Sequence, residues 1–242
     1  MSSVQEIFKR IEKKYIINEE TYHKLMKRLS GFVEKDRFYK SLIFNIYFDT
    51  PTNQLVRNSI EKPCYKEKLR LRSYGVPDLN QKAFLELKKK YKGVVYKRRV
   101  DMTLSQAYDF LEKRILAGKN PQIENEIFYF LDFYKDVIPA MYLSYERLAF
   151  VGAEDPNLRI TFDTNITYRC ENTRLENGVY GKQLLDFGTR IMEIKIPGAM
   201  PLWLSGILDE LKIYPSSFSK YGTAYLTELT GENQKGKVIE CA

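Results

Sequence analysis

The arrangement of apolar and polar residues predicts two kinds of secondary structure along the chain. Apolar residues recur three and four positions apart in five segments, which is the spacing of an amphipathic helix. Ser105 matches the usual N-cap of the second helix and Gly118 its C-terminal stop, and Pro201 fits the first turn of the fourth. The predicted helices are 19–29, 105–116, 123–134, 201–211 and 219–229.

Strand-like alternation is more frequent than helical spacing and gives most strands two chemically different faces. Arg70 and Arg72, for example, lie on one face of their strand, and Leu69 and Leu71 lie on the other. Seven segments carry Lys or Arg on one face in this way, whereas 41–49 is mostly apolar and aromatic. The predicted strands are 10–17, 41–49, 66–74, 84–90, 94–101, 141–150, 158–163 and 192–196.

A single charged strand face has an ordinary explanation, because an antiparallel strand with one buried face alternates apolar and polar residues. The run Lys66, Lys68, Arg70 and Arg72 is harder to explain in this way, since same-face neighbours about 7 Å apart repel one another. We therefore expect the charged faces to converge. This predicts an α+β fold in which about eight largely antiparallel strands form a closed β-barrel with a basic lumen, and the helices pack outside it.

Composition adds a bias toward anionic partners. The 242 residues contain 39 Lys and Arg against 31 Asp and Glu, which gives a net charge of +8, and only one histidine, His23. An excess of this size favours polyanions such as nucleic acid, anionic lipid or phosphate compounds. We expect a single domain with a core of about residues 8–229 and a tail at 230–242.

Cysteine usage and hydropathy predict a cytoplasmic location. Cys64, Cys170 and Cys241 are odd in number and far apart, which argues against a disulfide framework or a thiolate zinc site and favours a reducing compartment. The apolar runs are much shorter than a membrane span. We therefore expect no membrane-spanning segment.

A lumen crowded with cations needs anionic charge, because like charges brought together out of water destabilise the fold. A chain of phosphates fits, since Arg binds phosphate oxygens bidentately and Lys supplies point charges. Carboxylates on the same faces would serve a divalent metal, because Mg²⁺ or Mn²⁺ takes carboxylate and phosphate oxygens together. The alternative is that Glu12, Glu86 and Glu193 form ion pairs. We favour the metal for Glu193 and the ion pair for Glu86, and Glu12 stays open between the two.

Nine short motifs follow one another along the chain over about residues 8–225. They are Glu12-Lys13-Lys14-Tyr15, Tyr47-Phe48-Asp49-Thr50, Lys68-Leu69-Arg70-Leu71-Arg72, Glu86-Leu87-Lys88, Lys97-Arg98-Arg99, Ser144-Tyr145-Glu146-Arg147, Arg159-Ile160-Thr161-Phe162-Asp163-Thr164, Met192-Glu193-Ile194-Lys195 and Phe218-Ser219-Lys220-Tyr221. The ordered set resembles the VTC domain, the polyphosphate polymerase domain of vacuolar transporter chaperone proteins. The resemblance implies membership of the triphosphate tunnel metalloenzyme (CYTH-like) superfamily, whose fold is a β-barrel tunnel with a basic lumen and a divalent metal site.

The resemblance also implies site residues. Its catalytic cations would be Arg70, Arg72, Lys88, Arg147 and Arg159. Its further phosphate-binding residues would be Lys14, Lys97, Ser219 and Lys220, to which strand-face geometry alone adds Lys68 and Lys195. Glu193 matches the metal carboxylate, and Glu12 is the second metal candidate. Residues 215–218, just before Ser219, contain no basic residue where family members can carry one, so we expect a weaker grip on phosphate there.

The implied reaction transfers the γ-phosphoryl group of ATP, or of another triphosphate, to the end of a growing polyphosphate chain. Its acceptor is already an anionic oxygen, so a protein with one histidine needs no general base for it. We expect Mn²⁺ or Mg²⁺ as cofactor, ATP or inorganic triphosphate and polyphosphate as ligands, and no DNA. Eukaryotic family members carry a phosphate-sensing domain and membrane helices that this chain lacks, which leaves a separate membrane protein as an expected partner for export.

Two other functions fit the same residues. A tripolyphosphatase or nucleoside triphosphatase would use water in place of the phosphate acceptor, with Glu12 or Glu86 as the base that activates it. A non-catalytic polyphosphate- or RNA-binding module would use the net charge of +8 and the 18 tyrosines as stacking surfaces. The product of incubation with ATP distinguishes all three.

Overall fold

One antiparallel sheet and the helices packed against its two faces make up the computed structural model. The residues that it describes are 10–61, 63–92 and 94–231. Residues 8–9 of the predicted core, Cys241 and most of the predicted 230–242 tail lie outside this part of the chain. The other two thiols, Cys64 and Cys170, are free and exposed.

Every predicted strand is present, and each strand pair is antiparallel. The strands are β1 (Arg10–Ile17), β2 (Val33–Asp49), β3 (Tyr65–Tyr74), β4 (Lys82–Tyr91), β5 (Val94–Thr103), β6 (Ile138–Gly152), β7 (Arg159–Arg169), β8 (Lys182–Gln183) and β9 (Arg190–Pro197). Their order across the sheet is β1-β9-β7-β6-β2-β3-β4-β5, and the short β8 pairs with β7. The predicted bounds of β1 are right, and the other predicted strands are right in place but short. The largest extensions beyond the alternating segments are in β2 and β7, and β8 was not predicted.

The sheet is curved but does not close into a barrel, so the prediction of a closed barrel is wrong. Within the described residues β1 and β5 form its two edges and make no ladder with each other. Curvature is shown by Lys88 on β4, whose pKa responds to the charges of Glu12 on β1 and Glu193 on β9. In a flat sheet β9 and β4 would be about 24 Å apart. Alternation reveals the two faces of a strand, whereas closure depends on whether the edges meet.

All five predicted helices are present, and a sixth, short helix was missed. The helices are α1 (Glu19–Leu29), α2 (Gln54–Ile60), α3 (Leu104–Lys113), α4 (Pro121–Tyr134), α5 (Leu202–Glu210) and α6 (Lys220–Thr230). Helix α2 is too short to show a helical period in the sequence. None of the helices in the described ranges is both long and apolar enough to cross a membrane.

Several predicted helix ends are wrong by one to three residues. Helix α3 is capped by Thr103 in a capping box with Gln106, so Ser105 is inside the helix. It ends at Arg114, which adopts the left-handed conformation with φ 61°, well before Gly118. Pro201 precedes α5 at the N-cap position and is not in its first turn. Tertiary contacts decide such boundaries, and periodicity does not resolve them.

Two apolar clusters lie on the convex side of the sheet, where α1, α3, α4 and α5 cover it as predicted. Helix α6 was also predicted to pack outside, but it lies on the concave side, because its apolar residues pack on inward residues of β2 and β6. Under α3 and α4, the β3 and β4 leucines Leu69, Leu71, Leu85 and Leu87 are completely buried. Under α1 and α5, Ile160 of β7 and Ile194 of β9 are buried in a second cluster. The apolar residues that alternate with the charged ones therefore face away from the concave side.

A third apolar cluster lies on the concave side, at one end of it. It contains inward-facing residues of β2, β6, β7 and β9 together with residues of α2 and α6. Tyr221 of α6 stacks on Tyr47 of β2 with ring centroids 4.7 Å apart. The concave surface is therefore divided: α2 and α6 cover an apolar end, and the charged residues line the rest.

Asp49 connects the elements at this apolar end. It is completely buried, and its two oxygens accept hydrogen bonds from the backbone N–H groups of Thr50, Leu55 and Val56 and from the Tyr221 hydroxyl. One carboxylate thus caps α2 and fixes α6. Burial and the Asp49 charge raise the pKa of Tyr221, which keeps its hydroxyl proton in place for this hydrogen bond.

We predict that Asp49→Asn lowers the free energy of unfolding by roughly 3 kcal/mol, because an amide nitrogen would face two donors where a carboxylate oxygen now accepts. Urea denaturation followed by circular dichroism measures the loss. Tyr221→Phe removes one of these donors only and should cost about half as much. Equal urea midpoints for Asp49→Asn and the wild type would show that Asp49 does not connect these elements.

Candidate functional site

Glu86 of β4 is the anionic centre of one half of the charged face. It is 1% exposed, and its carboxylate accepts from Arg70 Nε at 2.5 Å and pairs with Lys97 Nζ at 2.5 Å. Arg99 Nε and Arg72 Nε lie 3.4 and 3.7 Å away. Burial opposes ionisation, but the charges of Arg70, Arg72 and Lys97 hold the pKa of Glu86 well below its usual range. The ion-pair interpretation of Glu86 is therefore correct.

Asp163 of β7 has the same role in the other half. It is completely buried, and Arg147 binds it bidentately, with Nε to Oδ1 at 2.6 Å and Nη2 to Oδ2 at 2.8 Å. Lys220, at the start of α6, donates to Oδ2 at 2.5 Å. Burial raises the pKa of Asp163, but Lys220 and Arg147 together lower it far more. Asp163 belongs to one of the nine motifs, but its pairing with these two cations was not predicted.

Arg72 is held in place by uncharged side chains of the neighbouring strands. Its Nε donates to Asn45 Oδ1 at 2.9 Å, and its Nη2 donates to the Tyr145 hydroxyl at 3.3 Å. Asn45 is itself fixed by donating to the backbone oxygen of Leu143. These residues were not among the predicted site residues, although Asn45 and Tyr145 occupy the strand positions that face inward beside the charged rows. They orient the guanidinium of Arg72 before any ligand arrives.

Lysines converge on the first turn of α6. Lys68 Nζ donates to Ser219 Oγ at 3.2 Å, and Lys14 Nζ donates to the backbone oxygen of Phe218 at 3.1 Å. The Ser219 hydroxyl also caps the helix by accepting from the backbone N–H of Gly222. The positive end of the helix dipole therefore lies among lysines, an arrangement that favours an anion at this position.

Two neighbouring groups in this region have strongly shifted pKa values. Burial lowers the pKa of Lys68 to about 8, and the charges of Lys14, Lys66 and Lys88 act in the same direction. Burial acts to raise the pKa of Tyr47, but Arg70 and nearby cations lower it to about 8. The Tyr47 hydroxyl accepts from Arg70 Nη1 at 3.5 Å. Both shifts reflect an excess of positive charge.

Glu12 and Glu193 lie on the same face of adjacent strands. In the β1–β9 ladder Glu12 is opposite Lys195, and Lys14 is opposite Glu193. Glu193 pairs with Lys195 at 2.5 Å, and Glu12 lies 3.7 Å from Lys14 Nζ. Burial opposes ionisation of Glu193, but Lys195 and Lys14 lower its pKa to about 2. Both predicted metal carboxylates therefore also neighbour a lysine.

The donor chemistry of this pair fits Mg²⁺ or Mn²⁺. These ions bind one or two carboxylates and complete their coordination with water and substrate phosphates. Within the described part of the chain no three acidic, histidine or cysteine side chains form a dedicated metal cluster. Glu193 and Glu12 would therefore hold a metal only together with a phosphate ligand.

The remaining predicted residues differ in how far they extend into the charged face. Lys88 has no hydrogen bond or ion pair with any described residue, and burial lowers its pKa. Lys97 is on the edge strand β5 with its side chain 44% exposed. Arg159 lies at the rim, with its side chain 43% exposed, and pairs with Asp36 in the irregular part of β2. Asp36 was not predicted, because it precedes the alternating part of its strand.

The structure thus places the predicted cations on one curved surface, with Arg159 and Lys97 at its borders. Four carboxylates, Glu12, Glu86, Asp163 and Glu193, share this surface and are outnumbered by Lys and Arg. Several cations already contact a carboxylate or a fixed dipole, which holds their heads in place. A ligand with several adjacent negative charges would satisfy the remaining positive charge.

Comparison with known proteins agrees with this geometry. The sequence model of the VTC domain matches residues 9–228. A putative adenylate cyclase from Bacillus halodurans has a similar structure, with TM-score 0.53 and 16% identity, over 87% of this chain and 93% of that one. A second protein so described, from Vibrio parahaemolyticus, gives TM-score 0.50 and 13% identity over 90% and 98%. No curated protein sequence matches. At these identities the structures show a common fold, and the sequence match over most of the chain shows that it belongs to the VTC domain family.

Proposed function

We propose that this protein is a polyphosphate polymerase that transfers the γ-phosphoryl group of a nucleoside triphosphate to the end of a polyphosphate chain. The observation that carries the proposal is the surface formed by inward Lys and Arg side chains, oriented by the buried carboxylates Glu86 and Asp163. Membership of the VTC domain family supports it. Linear phosphates match this surface because they present one negative group after another.

The charged side chains divide the work of binding by position. Arg70 and Arg72 are neighbours on one strand face, about 7 Å apart along the strand, a spacing suited to successive phosphates. Across the surface, Arg147 and Lys220 are held together by Asp163. Lys88 is within range of the charges of Arg70 on β3 and of Glu12, Lys14 and Glu193 on β1 and β9, and it is free to bind a phosphate oxygen. With a triphosphate bound along these cations, they would stabilise the negative charge that shifts between phosphate oxygens during transfer. Because they are held in place beforehand, they would lower the barrier.

Transfer forms a bond between the γ-phosphorus and a terminal oxygen of the acceptor chain and breaks its bond to the oxygen that leaves with the nucleoside diphosphate. The acceptor oxygen carries negative charge already, and no proton must be removed from it. Glu86 is a poor base, because its ion pairs hold its pKa far below neutral. Both points favour phosphate over water as the acceptor.

A divalent metal would be held by Glu193 and Glu12 through oxygens of the bound triphosphate. Its contribution would be to neutralise charge on the phosphate oxygens. Lys195 pairs with Glu193 and keeps that carboxylate ionised, which is the state needed for metal binding.

Hydrolysis of the same triphosphate is the second candidate function. The observation that favours it is Glu12, whose side chain is partly exposed and whose nearest cation is 3.7 Å away. Such a carboxylate can accept a proton from an attacking water. The product therefore tests the proposal.

Incubation of the protein with ATP and Mn²⁺ or Mg²⁺, followed by separation of long-chain polyphosphate from free phosphate, is the decisive measurement. We expect polymer together with nucleoside diphosphate. Orthophosphate without polymer would replace the polymerase by a triphosphatase. Binding of polyphosphate without turnover of any triphosphate would identify a non-catalytic module.

We predict that Glu193→Gln abolishes metal-dependent turnover while leaving the fold intact, because the amide keeps the size of the side chain but binds Mg²⁺ poorly. Turnover with Mn²⁺ and the thermal unfolding midpoint should both be measured. Glu67→Gln is the matched control, because it makes the same replacement of a buried carboxylate by an amide on the opposite face of β3, away from the site. Wild-type turnover by Glu193→Gln would reduce Glu193 to an ion-pair partner of Lys195.

We predict that triphosphate affinity falls as pH rises through about 8, the value to which the pKa of Lys68 is lowered. Below that pH the ammonium is charged and attracts the anion, and above it the amine is neutral. Tyr47, with a pKa also lowered to about 8, becomes negative over the same range and weakens binding further. Affinity measured by calorimetry from pH 7 to 9.5 checks the direction.

Two variants separate these contributions. Lys68→Arg keeps the charge above pH 8, and Tyr47→Phe removes the titrating phenol, so each should flatten part of the wild-type pH profile. The titration of the ligand itself is common to all three proteins. A wild-type profile that both variants reproduce would rule out both groups as the cause.

A further inference from the structure

An aromatic and arginine cluster lies at the end of the charged face that α6 does not cover. Tyr74 follows Arg72 on the inward face of β3, and Phe84 precedes Glu86 on the inward face of β4. In the β3–β4 ladder Phe84 is directly opposite Arg72. The row on β3 therefore ends in an aromatic ring, whereas on β4 Phe84 interrupts the row, and Lys82 beyond it pairs with Asp101 of β5 at 2.8 Å.

Arg99 of β5 joins the two rings. Its guanidinium carbon lies 3.7 Å from the Phe84 ring centroid, and its Nη2 donates to the Tyr74 hydroxyl at 3.4 Å. The two rings meet edge to face with centroids 5.6 Å apart. Glu86 contacts the same guanidinium, with Arg99 Nε 3.4 Å from its Oε1. Arg99 is thus fixed as a flat layer on one ring while its side chain stays 35% exposed.

Packing does not account for this cluster. Tyr74 is 50% exposed, and neither Tyr74 nor Phe84 belongs to any of the three apolar clusters formed by the described residues. At the other end of the concave face, Tyr47 of β2 and Tyr221 of α6 are buried against each other. Exposed aromatic rings beside a row of Lys and Arg side chains that can bind phosphates are the combination with which proteins stack nucleobases.

We propose that Tyr74, Phe84 and Arg99 form a subsite for the base of a nucleoside triphosphate whose phosphates lie along Arg72 and Arg70. The proposal rests on the proposed function, which places a triphosphate on this face. Tyr74 is about 7 Å beyond Arg72 along the strand, a distance that a ribose bridges. The base continues the Phe84–Arg99 stack on the open side of the guanidinium, with the Tyr74 ring beside it.

The subsite sets a substrate class. Stacking uses the ring face that every base has, and two of the three Arg99 nitrogens already contact Glu86 and Tyr74. The protein should therefore prefer nucleoside triphosphates to the same triphosphate without a base, and discriminate little between adenine and guanine.

The first experiment removes the base from the ligand and uses the unmodified protein. Calorimetry compares ATP, GTP and ribose 5-triphosphate, which differ only in the base. We expect ATP and GTP each to bind about tenfold more tightly than ribose 5-triphosphate, the lower part of the range for one stacked base. Equal binding of ATP and ribose 5-triphosphate would overturn the subsite, with no variant involved.

The second experiment removes the ring from the protein. Tyr74→Leu should lower the ratio of ATP to ribose 5-triphosphate affinity from about tenfold to below about threefold. Tyr74→Phe loses the hydroxyl but keeps the ring, so it should retain the wild-type ratio. Tyr96→Leu replaces an equally exposed tyrosine on the opposite face of the neighbouring β5 and should also retain it. A ratio unchanged in Tyr74→Leu would overturn the assignment of Tyr74.

The ligands also separate this inference from the function on which it rests. Tight binding of ribose 5-triphosphate and inorganic tripolyphosphate with no gain from a base would reject the subsite and leave the triphosphate site standing. Absence of binding by all of these triphosphates would reject both.

Discussion

The charged face depends on two buried carboxylates, Glu86 and Asp163. Each is completely or almost completely withdrawn from water and is surrounded by more than one Lys or Arg. A carboxylate in this position is costly unless it is ionised and paired, and a group of cations in this position is costly unless an anion separates them. The cations meet the need of the carboxylate for paired charge, and the carboxylate meets the need of the cations for an anion between them. The surplus of cations that remains is the property that the proposed function uses.

The concave side of the sheet is divided into regions of different physical character. Apolar residues under α2 and α6 give that end a packed interior, and Asp49 fixes both helices to it. The first turn of α6 lies at the border of the charged region. Lys14 and Lys68 donate to Phe218 and Ser219 at its start, and its own Lys220 donates to Asp163. The stable region and the binding region therefore adjoin on the same surface, where Tyr47 and Tyr145 of the apolar cluster contact Arg70 and Arg72. A helix anchored in the stable region carries Ser219 and Lys220 to the binding region.

Strand alternation was sufficient to predict the convergence of charges, because parity alone assigns each residue to a face. It placed Arg70, Arg72, Lys88 and Arg147 correctly on one surface. Closure of the barrel could not be inferred in this way, since it depends on how far the sheet curls and where its edges end. Alternation also does not show which carboxylate pairs with which cation. Asp163 differs from Glu193 in the number of cations around it, and that number follows only from the pairing of distant strands.

The residues that orient the arginines were missed for a related reason. Asn45 and Tyr47 belong to a segment that is mostly apolar and aromatic, so its composition predicted a strand but indicated no binding role for its residues. Their importance comes from register, because Asn45 is opposite Arg72 and Tyr47 is opposite Arg70. Helix α2 is too short to show a helical period, and its start is capped by Asp49 and Thr50 rather than by the residue at its N-cap position, Asn53.

Within the part of the chain that the structure describes, β1 and β5 have one unpaired edge each, which has a consequence for association between molecules. Unpaired edge strands invite the addition of a strand from another chain, and clustered charge is one of the ways in which proteins prevent it. Both edges here carry such charge, with Lys13 and Lys14 on β1 and Lys97, Arg98 and Arg99 on β5. Two copies approaching edge to edge would bring like charges together. The cations that favour a polyanion in the interior thus also keep neighbouring molecules apart, and high salt weakens both effects at once.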